Sequence, residues 1–143
     1  MKLVVQRVAA AAVSIEEKEF SRIGKGLAVL LGIHLQDTPE MTMWYVNKLL
    51  GLRIFEDDAK KMNLSVEDVR GEVLVVSQFT LYGMCDKGRR PSFTEAAGPE
   101  IAEPIYDKFC QEIKMRHGSV KTGKFGAEMQ VMLLNDGPVT ILL

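Results

Sequence analysis

Short apolar runs alternate with two longer amphipathic segments along the chain, a pattern that predicts a mixed α/β protein. The runs are rich in β-branched residues, which favour strands. The predicted strands cover residues 2–10, 12–15, 26–33, 72–81, 120–122, 127–134 and 139–142, with a hairpin turn at 16–19. The segments with helical spacing follow residue 37 and lie within 99–117. We therefore expect two main helices packed on sheets in one layered body.

The two predicted helices have recognisable ends. Asp37 is a candidate N-cap for the first helix, which is expected to stop at Gly51. In the second helix, Pro104 is expected to kink the helix or delay its start, and Gly118 to end it. Its apolar residues recur at four-residue steps and predict a buried stripe of Ile101, Ile105, Phe109 and Ile113.

The strongest strand signal, residues 72–81, ends in polar side chains. The run is apolar on both faces as far as Ser77, which indicates a central strand. Gln78 and Thr80 follow, and strand alternation places Ser77 and Phe79 on the face opposite to them. Two interpretations stand: these side chains cap the following loop, or they form a site on a strand end.

The C-terminal segment places Gly137-Pro138 between two apolar runs. Glycine adopts backbone angles closed to other residues, while proline fixes its own φ and lacks an N–H donor. A specially shaped turn is therefore expected between two strands, and it is a candidate site. The apolar residues 141–143 predict that this end lies in a core or against a partner, because chain ends are usually polar and frayed.

A basic cluster, Lys87 to Arg90, follows the polar strand end, with Phe93 close behind. A solvated loop is its default explanation. A phosphate bound near the strand end would need such charges.

Composition narrows the classes of function. A chain of 143 residues is expected to form one domain, residues 1–143. The net charge of −1 implies no general polyanion-binding surface, so any contact with nucleic acid is expected to be local. The chain has no apolar run long enough to span a bilayer and no signal-peptide pattern. We expect a cytoplasmic protein without a membrane partner.

Several familiar chemistries lack support in the sequence. There is no glycine-rich fingerprint opening a helix and no Walker lysine, so no nucleotide cofactor is expected. His34 and His117 stand far apart without neighbouring ligands, and Cys85 and Cys110 lack metal or redox spacing. We expect neither a cofactor nor a metal, and a Ser-His-Asp triad has weak support.

Two motifs resemble one known family. Residues 77–81, SQFTL, resemble the SQxxL motif of the D-aminoacyl-tRNA deacylases, and residues 135–140, NDGPVT, resemble their NxGPxT motif. Similar segments run the whole length of the chain, at VVQRV around Arg7, RIF at 53–55, KMNLSV from 61, RPSF at 90–93 and TGKFGAEM at 122–129.

This resemblance implies a three-layer ββα sandwich with mixed β-sheets and a homodimer with active sites at the subunit interface. The implied activity is hydrolysis of the ester between a D-amino acid and the 3′ acceptor end of tRNA. The Gly137-Pro138 bond is implied to be cis, to enter the pocket of the other subunit, and to exclude L-amino acids. Arg7 is implied to help hold this turn. Glycyl-tRNA mischarged on tRNA(Ala) is expected to be accepted, because glycine has no side chain to exclude.

The resemblance also implies roles around the strand end. Main-chain N–H groups near Phe79 and Thr80 are implied to stabilise the oxyanion, while the ribose 2′-hydroxyl helps activate water. Ser77 and Gln78 then position the substrate. A Thr80 nucleophile is the alternative, although no neighbouring base is evident in the sequence.

Phe125 and Met129 are candidate residues of an adenine pocket and equally ordinary as core, and the Lys87 to Arg90 cluster is a candidate contact with the acceptor end. Two rival functions remain open. One is a related editing deacylase with a trans Gly137-Pro138 bond and a pocket for small L-amino acids. The other is a non-catalytic module that binds the end of an RNA.

Overall fold

The computed structural model describes residues 1–86 and 88–143, whose strands form a six-stranded mixed sheet and a two-stranded ribbon. The strands are β1 (Lys2–Ile15), β2 (Lys18–Ile23), β3 (Gly26–Gly32), β4 (Phe55–Glu56), β5 (Met62–Leu64), β6 (Glu72–Ser77), β7 (Val120–Thr122) and β8 (Gln130–Leu142). The two main helices are α1 (Thr42–Leu50) and α2 (Pro99–His117), with short 3₁₀ helices at Pro39–Met41 and Phe79–Tyr82. The predicted α/β class with two main helices is confirmed.

Strand β1 organises the sheet. Its first half pairs antiparallel with β3, its second half pairs with β2, and β8 runs antiparallel along its other side. Strand β6 lies between β3 and β7 and is parallel to both, which confirms its predicted central position. The two strands predicted at 2–10 and 12–15 are one strand, because Ala11 continues the ladder with Ile23 and Leu133. The predicted turn is confirmed at Glu16 and Glu17, both with positive φ.

The sheet buries both of its faces. Helices α1 and α2 cover one face, over a core that includes Leu3, Leu31, Phe55, Phe109 and Ile113. A second core, which includes Val8, Val13, Ile23, Leu74 and Val76, lies on the other face. Over this second core the sheet bends so that β2 approaches β7, where the hydroxyl of Ser21 donates to the carbonyl of Thr122 at 2.8 Å. The bent sheet and the helices thus form the expected layers.

The strand predicted at residues 72–81 ends at Ser77, four residues early. Its last pair is Leu31 with Ser77, and its neighbour β3 ends at Gly32. Beyond that pair the N–H of Gln78 still donates to the carbonyl of Leu31, and the backbone then turns into the 3₁₀ helix Phe79–Tyr82. The predicted alternation of Ser77 and Phe79 against Gln78 and Thr80 is therefore wrong, because these residues do not share one extended strand.

The helix ends are partly as predicted. Gly51 and Gly118 end α1 and α2, and Gly118 has a φ of +82° that suits glycine. Asp37 is not an N-cap: its carboxylate accepts bonds from the Met1 ammonium and the main-chain N–H of His34. Helix α2 begins at Pro99, so Pro104 lies inside it without delaying its start. The apolar stripe predicted along α2 is buried except for its first residue, Ile101, which is exposed.

Residues 127–134 and 139–142, predicted as two strands, belong largely to one irregular strand, β8. Its end is tied to β1, because the N–H and carbonyl of Leu143 both bond to Leu3, at 3.0 and 2.9 Å. Ile141 and Leu143 pack against the helix-side core, whereas Leu142 is exposed. None of the helices in the described residues is long and apolar enough to cross a membrane.

Candidate functional site

A cavity of about 620 Å³ opens at the carboxyl end of β6. Its wall includes five of the predicted site residues, Ser77, Gln78, Phe79, Phe125 and Met129. In the described part of the chain, no side chain that lines it is an acid, a base or a thiol. Any chemistry in this cavity must therefore use hydroxyl, amide or main-chain groups, or groups that the ligand brings.

The main chain offers two hydrogen-bond donors beside this cavity. The N–H of Gln78 completes the sheet by donating to the carbonyl of Leu31 at 2.8 Å. The chain then turns into the 3₁₀ helix, whose first hydrogen bond is donated by Leu81 to the carbonyl of Gln78. The N–H groups of Phe79 and Thr80 precede that bond and find no acceptor among the described residues. Both residues are exposed, so these groups can donate to a ligand oxygen.

The side chain of Thr80 lies outside the cavity wall and is exposed. Its hydroxyl oxygen accepts a hydrogen bond from the amide of Gln78. An amide is not a base at neutral pH, so this contact orients the hydroxyl without activating it. The geometry gives Thr80 no partner for nucleophilic attack within the described residues.

Phe125 and Met129 come from the loop between β7 and β8. The ring of Phe125 lies 5.7 Å from that of Tyr106, whose hydroxyl donates to the carbonyl of Val75 at 2.9 Å. Burial raises the pKa of Tyr106, so this hydroxyl stays neutral. Met129 packs over Gly123, where a Cβ would lie 2.7 Å from its sulfur. Both residues thus form an apolar part of the cavity wall that packs against its neighbours.

The Gly137-Pro138 turn is a bulge of β8 opposite Arg7. Gln6 pairs with Thr140 and Val8 with Asn135, so residues 136–139 face the single residue Arg7. The Gly137-Pro138 peptide is cis, and Gly137 has a φ of +126°, a conformation that L side chains rarely adopt. A Cβ at Gly137 would also lie 3.1 Å from Nη2 of Arg7. Glycine is therefore required here.

Arg7 is buried, with 5% of its surface exposed, and it holds the bulge from inside. Its Nε donates to the carbonyl of Asp136 at 3.0 Å and lies 3.2 Å from the Asp136 carboxylate. Its Nη1 donates to the carbonyl of Ile54 at 2.6 Å. The guanidinium thus ties the bulge of β8 to the segment that leads into β4.

The predicted site residues fall into two separate groups. Gly137 and Pro138 are exposed and do not line the cavity. Arg7 pairs with Leu27 of β3, four residues before Leu31, which pairs with Ser77, and β8 lies three strand spacings from β6, with β1 and β3 between them. With about 3.3 Å per residue and about 4.8 Å between strands, this separation is roughly 20 Å along the sheet. One chain therefore does not bring its own turn to its own cavity.

Part of the predicted basic cluster can be placed. Lys87 lies outside the described residues. Arg89 and Arg90 are exposed in the loop that leads to Phe93, which lines the cavity. This places positive charge in the segment that approaches the cavity mouth.

The segment that leads into α2, together with the first residue of that helix, forms a part of the cavity wall that was not predicted from the sequence. Ala96, Ala97 and Pro99 line the cavity, and the N–H of Ala97 donates to the carbonyl of Ile33 at 2.9 Å. Small residues between a basic loop and a helix were the only available signal, and they carry no chemistry of their own.

The fold and the cavity define an α/β protein with an open cavity at the carboxyl ends of parallel strands, where such sheets commonly bind ligands. Comparison with known families is more specific. The D-Tyr-tRNA(Tyr) deacylase family matches residues 4–143, and the chain belongs to this family. The resemblance seen in the sequence is confirmed, as is the enzyme class at the level of the family, a hydrolase acting on aminoacyl-tRNA esters.

Individual relatives agree over the whole chain. A D-aminoacyl-tRNA deacylase of Protochlamydia amoebophila is 57% identical over all 143 residues, which cover 95% of that protein. One of Thermotoga petrophila is 55% identical, again over the whole chain and 96% of the relative. A solved structure described as c-Myc DNA Unwinding Element Binding Protein is 48% identical, with a TM-score of 0.93 and coverage of 100% of this chain and 97% of that one.

Proposed function

We propose that this protein hydrolyses the ester of D-aminoacyl-tRNA and releases the free D-amino acid and the tRNA. Family membership supports the reaction class. The observation that carries the proposal within the structure is the pair of unpartnered N–H groups, of Phe79 and Thr80, beside a cavity with no ionisable lining in the described residues. Such donors suit the oxygen that becomes negative when an ester carbonyl is attacked.

The proposed step needs only water and the substrate's own groups. Water adds to the carbonyl carbon, and the carbonyl electron pair moves to the oxygen that the N–H groups of Phe79 and Thr80 receive. When the carbon–oxygen bond to the ribose breaks, the ribose oxygen leaves with the bonding pair and takes the proton lost by water. The adjacent ribose 2′-hydroxyl helps activate the water, since none of the described residues that line the cavity supplies a base. Ser77 and Gln78 position the substrate.

Chiral selection is proposed to come from the Gly137-Pro138 turn of a second copy of the chain. The rigid turn would occupy the space that the side chain of an L-amino acid needs, so selection is by exclusion. Glycine has no side chain to exclude, so glycyl-tRNA mischarged on tRNA(Ala) is a second proposed substrate. The hold of Arg7 on the bulge supports this role, because a filter must keep its shape.

A homodimer with active sites at the subunit interface is proposed as well, and the distance between the turn and the cavity of one chain supports it. The turn is exposed, roughly 20 Å along the sheet from its own cavity, so a second copy is needed to complete the site. Strand β8 also exposes four apolar side chains, Val131, Met132, Leu134 and Leu142, and strand alternation places Met132 and Leu134 on one face. Exposed apolar patches mark interaction surfaces.

The tRNA is proposed to be held by its 3′ acceptor end. Phe125 and Met129 form the wall offered to the terminal adenine, and Arg89 and Arg90 are placed to meet the backbone phosphates. A net charge of −1 favours such local contact over a broad nucleic-acid surface, so we propose no DNA-binding function. The proposed location is the cytoplasm, where charged tRNA is used.

The experiment compares Phe79→Pro with Phe79→Ala in the hydrolysis of D-tyrosyl-tRNA. Both variants lack the ring, but only Phe79→Pro also lacks the N–H group, at a helix-start position that tolerates proline. We expect wild-type hydrolysis, and a kcat for Phe79→Pro lower than that of Phe79→Ala by about 10²–10³-fold. Equal kcat values in two folded variants would contradict the main-chain oxyanion site. Absence of hydrolysis by the wild-type protein would contradict the function itself.

A further inference from the structure

Two aromatic rings stand exposed at the mouth of the cavity. Phe79 is 56% exposed and Phe93 is 36% exposed, and their ring centroids lie 5.2 Å apart at an interplanar angle of 70°. An edge-to-face pair of this kind fixes the rings against each other and leaves ring surface uncovered. Both side chains line the cavity, so the uncovered surface borders the path by which a ligand enters.

The position of Phe93 is set by the backbone around it. Met84 and Ser92 exchange two main-chain hydrogen bonds, at 2.8 and 2.9 Å, just before Phe93. The N–H of Ala96 then donates to the carbonyl of Phe93 at 3.0 Å. Gly83 lies directly against the ring, since a Cβ there would be 3.0 Å from it. The ring is therefore held at the mouth by a closed loop and by close packing.

Positive charge precedes this ring in the chain. Arg89 and Arg90 are both exposed, and Arg90 stands three residues before Phe93. Exposed aromatic faces with neighbouring cations are the combination that binds single-stranded nucleic acid, because bases stack on the rings while cations meet the phosphates. An aminoacyl side chain would explain the rings but not the arginines.

We propose that Phe93, supported by Phe79, is the stacking surface for the nucleobase that precedes the terminal adenosine of the tRNA. This inference rests on the proposed function, in which the terminal adenosine and its ester occupy the cavity. The next nucleotide must then leave across the mouth, where Phe93 lies. Arg89 and Arg90 bind the phosphates on that exit path.

The test combines a protein variant with a substrate variant. We measure kcat/KM for D-tyrosyl-tRNA and for the same tRNA made abasic at the nucleotide before the terminal adenosine. For the wild-type protein, loss of the base is expected to lower kcat/KM by about 10- to 100-fold, a range typical of base–aromatic stacking. Phe93→Leu is expected to show the same loss on the intact substrate and almost no further loss on the abasic one. Phe93→Trp, which keeps a flat face, is expected to stay within about threefold of wild type on intact tRNA.

Additive losses from the two changes, or no loss in Phe93→Leu, would overturn the proposal, because residues that act through one contact must be coupled. Phe20→Leu, an exposed phenylalanine of β2 away from the cavity, is the matched control and is expected to resemble wild type. If the wild-type protein hydrolyses no D-tyrosyl-tRNA, the proposed function fails by itself. The same combination of Phe93→Leu with the abasic tRNA is then measured as the Kd of uncharged tRNA. Additive losses of affinity from the two changes again overturn the stacking proposal.

Discussion

The Nε of Arg7 donates a hydrogen bond to the main-chain carbonyl of Asp136, 3.0 Å away, across a bulge in which four residues of β8 face one residue of β1. A buried guanidinium thus replaces the ladder bonds that the bulge interrupts. The same side chain bonds to the carbonyl of Ile54 at 2.6 Å, so the bulge is fixed to the body of the protein rather than to its own strand alone. This anchoring would keep the exposed turn in one shape, as its proposed role of chiral filter requires.

Arg7→Lys is predicted to loosen that turn. Lysine has one compact ammonium in place of a planar fork and does not satisfy both carbonyls, which leaves a buried acceptor unpaired. We expect the free energy of unfolding to fall by about 2 kcal/mol and the preference for the D over the L ester to weaken. Urea unfolding and paired hydrolysis assays measure the two effects. Arg22→Lys, in an exposed pair with Glu19, is the control and is expected to leave the stability nearly unchanged. An unchanged D/L ratio in folded Arg7→Lys would contradict the anchoring role.

Thr80→Ala is predicted to keep substantial hydrolytic activity, within about tenfold of the wild-type kcat. Among the described residues the hydroxyl bonds to an amide and to no base, so its loss removes an orienting contact while the main-chain N–H of residue 80 remains. Steady-state hydrolysis of D-tyrosyl-tRNA is the measurement, with circular dichroism as the check on folding. A folded Thr80→Ala without detectable activity would restore Thr80 as the nucleophile.

Leu134→Asp is predicted to separate the two copies and to abolish activity at the same time. Leu134 is 61% exposed in the single chain, so the substitution leaves the fold intact, but it would bury a charge in the proposed interface. Light scattering after gel filtration and hydrolysis assays report the two outcomes. Met115→Asp alters an exposed apolar residue of α2 and is expected to remain a fully active dimer. A monomeric Leu134→Asp with full, D-specific activity would show that one chain is enough.

The stability of the protein is predicted to fall as the pH rises from about 10 to about 12. Burial, aided by the charge of Asp37, raises the pKa of Tyr82 from its ordinary value of 10.0 to about 12. The folded state therefore holds this proton more tightly than the unfolded state, so the stabilisation is complete below pH 10 and is lost as the pH rises through 12. Tyr82→Phe keeps the ring against His34 and beneath the Lys2 ammonium. Urea unfolding at several pH values should show a shallower decline in this variant, and an identical decline would contradict the assignment.

The spacing of apolar residues predicted the helices and strands well where the same spacing decides which side chains are buried. The buried stripe of α2 and the central strand β6 follow from periodicity, because burial on one or both faces imposes it. The end of β6 could not be read in the same way. Phe79 and Leu81 suit a strand as single residues, and the strand stops because its neighbour β3 ends at Gly32, a fact of pairing between distant segments.

The candidate site, too, could be predicted only in part from the sequence. The motifs marked Ser77 to Thr80 and the Gly137-Pro138 turn, yet the sequence alone did not show that Ala96 and Ala97 complete the cavity. The N-cap predicted for Asp37 was wrong for a related reason. Its carboxylate bonds to the Met1 ammonium, 36 positions away in the chain, instead of to an N–H at the start of the helix. Spacing reports neighbours along the chain, whereas these contacts depend on the tertiary fold.

The most direct test of the account is hydrolysis of D-tyrosyl-tRNA beside L-tyrosyl-tRNA by the purified protein, measured as the first-order loss of each ester at equal enzyme concentration. We predict rapid loss of the D ester, with the L ester decaying only at its spontaneous rate. Binding of both esters without faster loss of either would indicate a module that shelters the RNA end. Enzymatic loss of the L ester would contradict the proposal that the Gly137-Pro138 turn is the chiral filter.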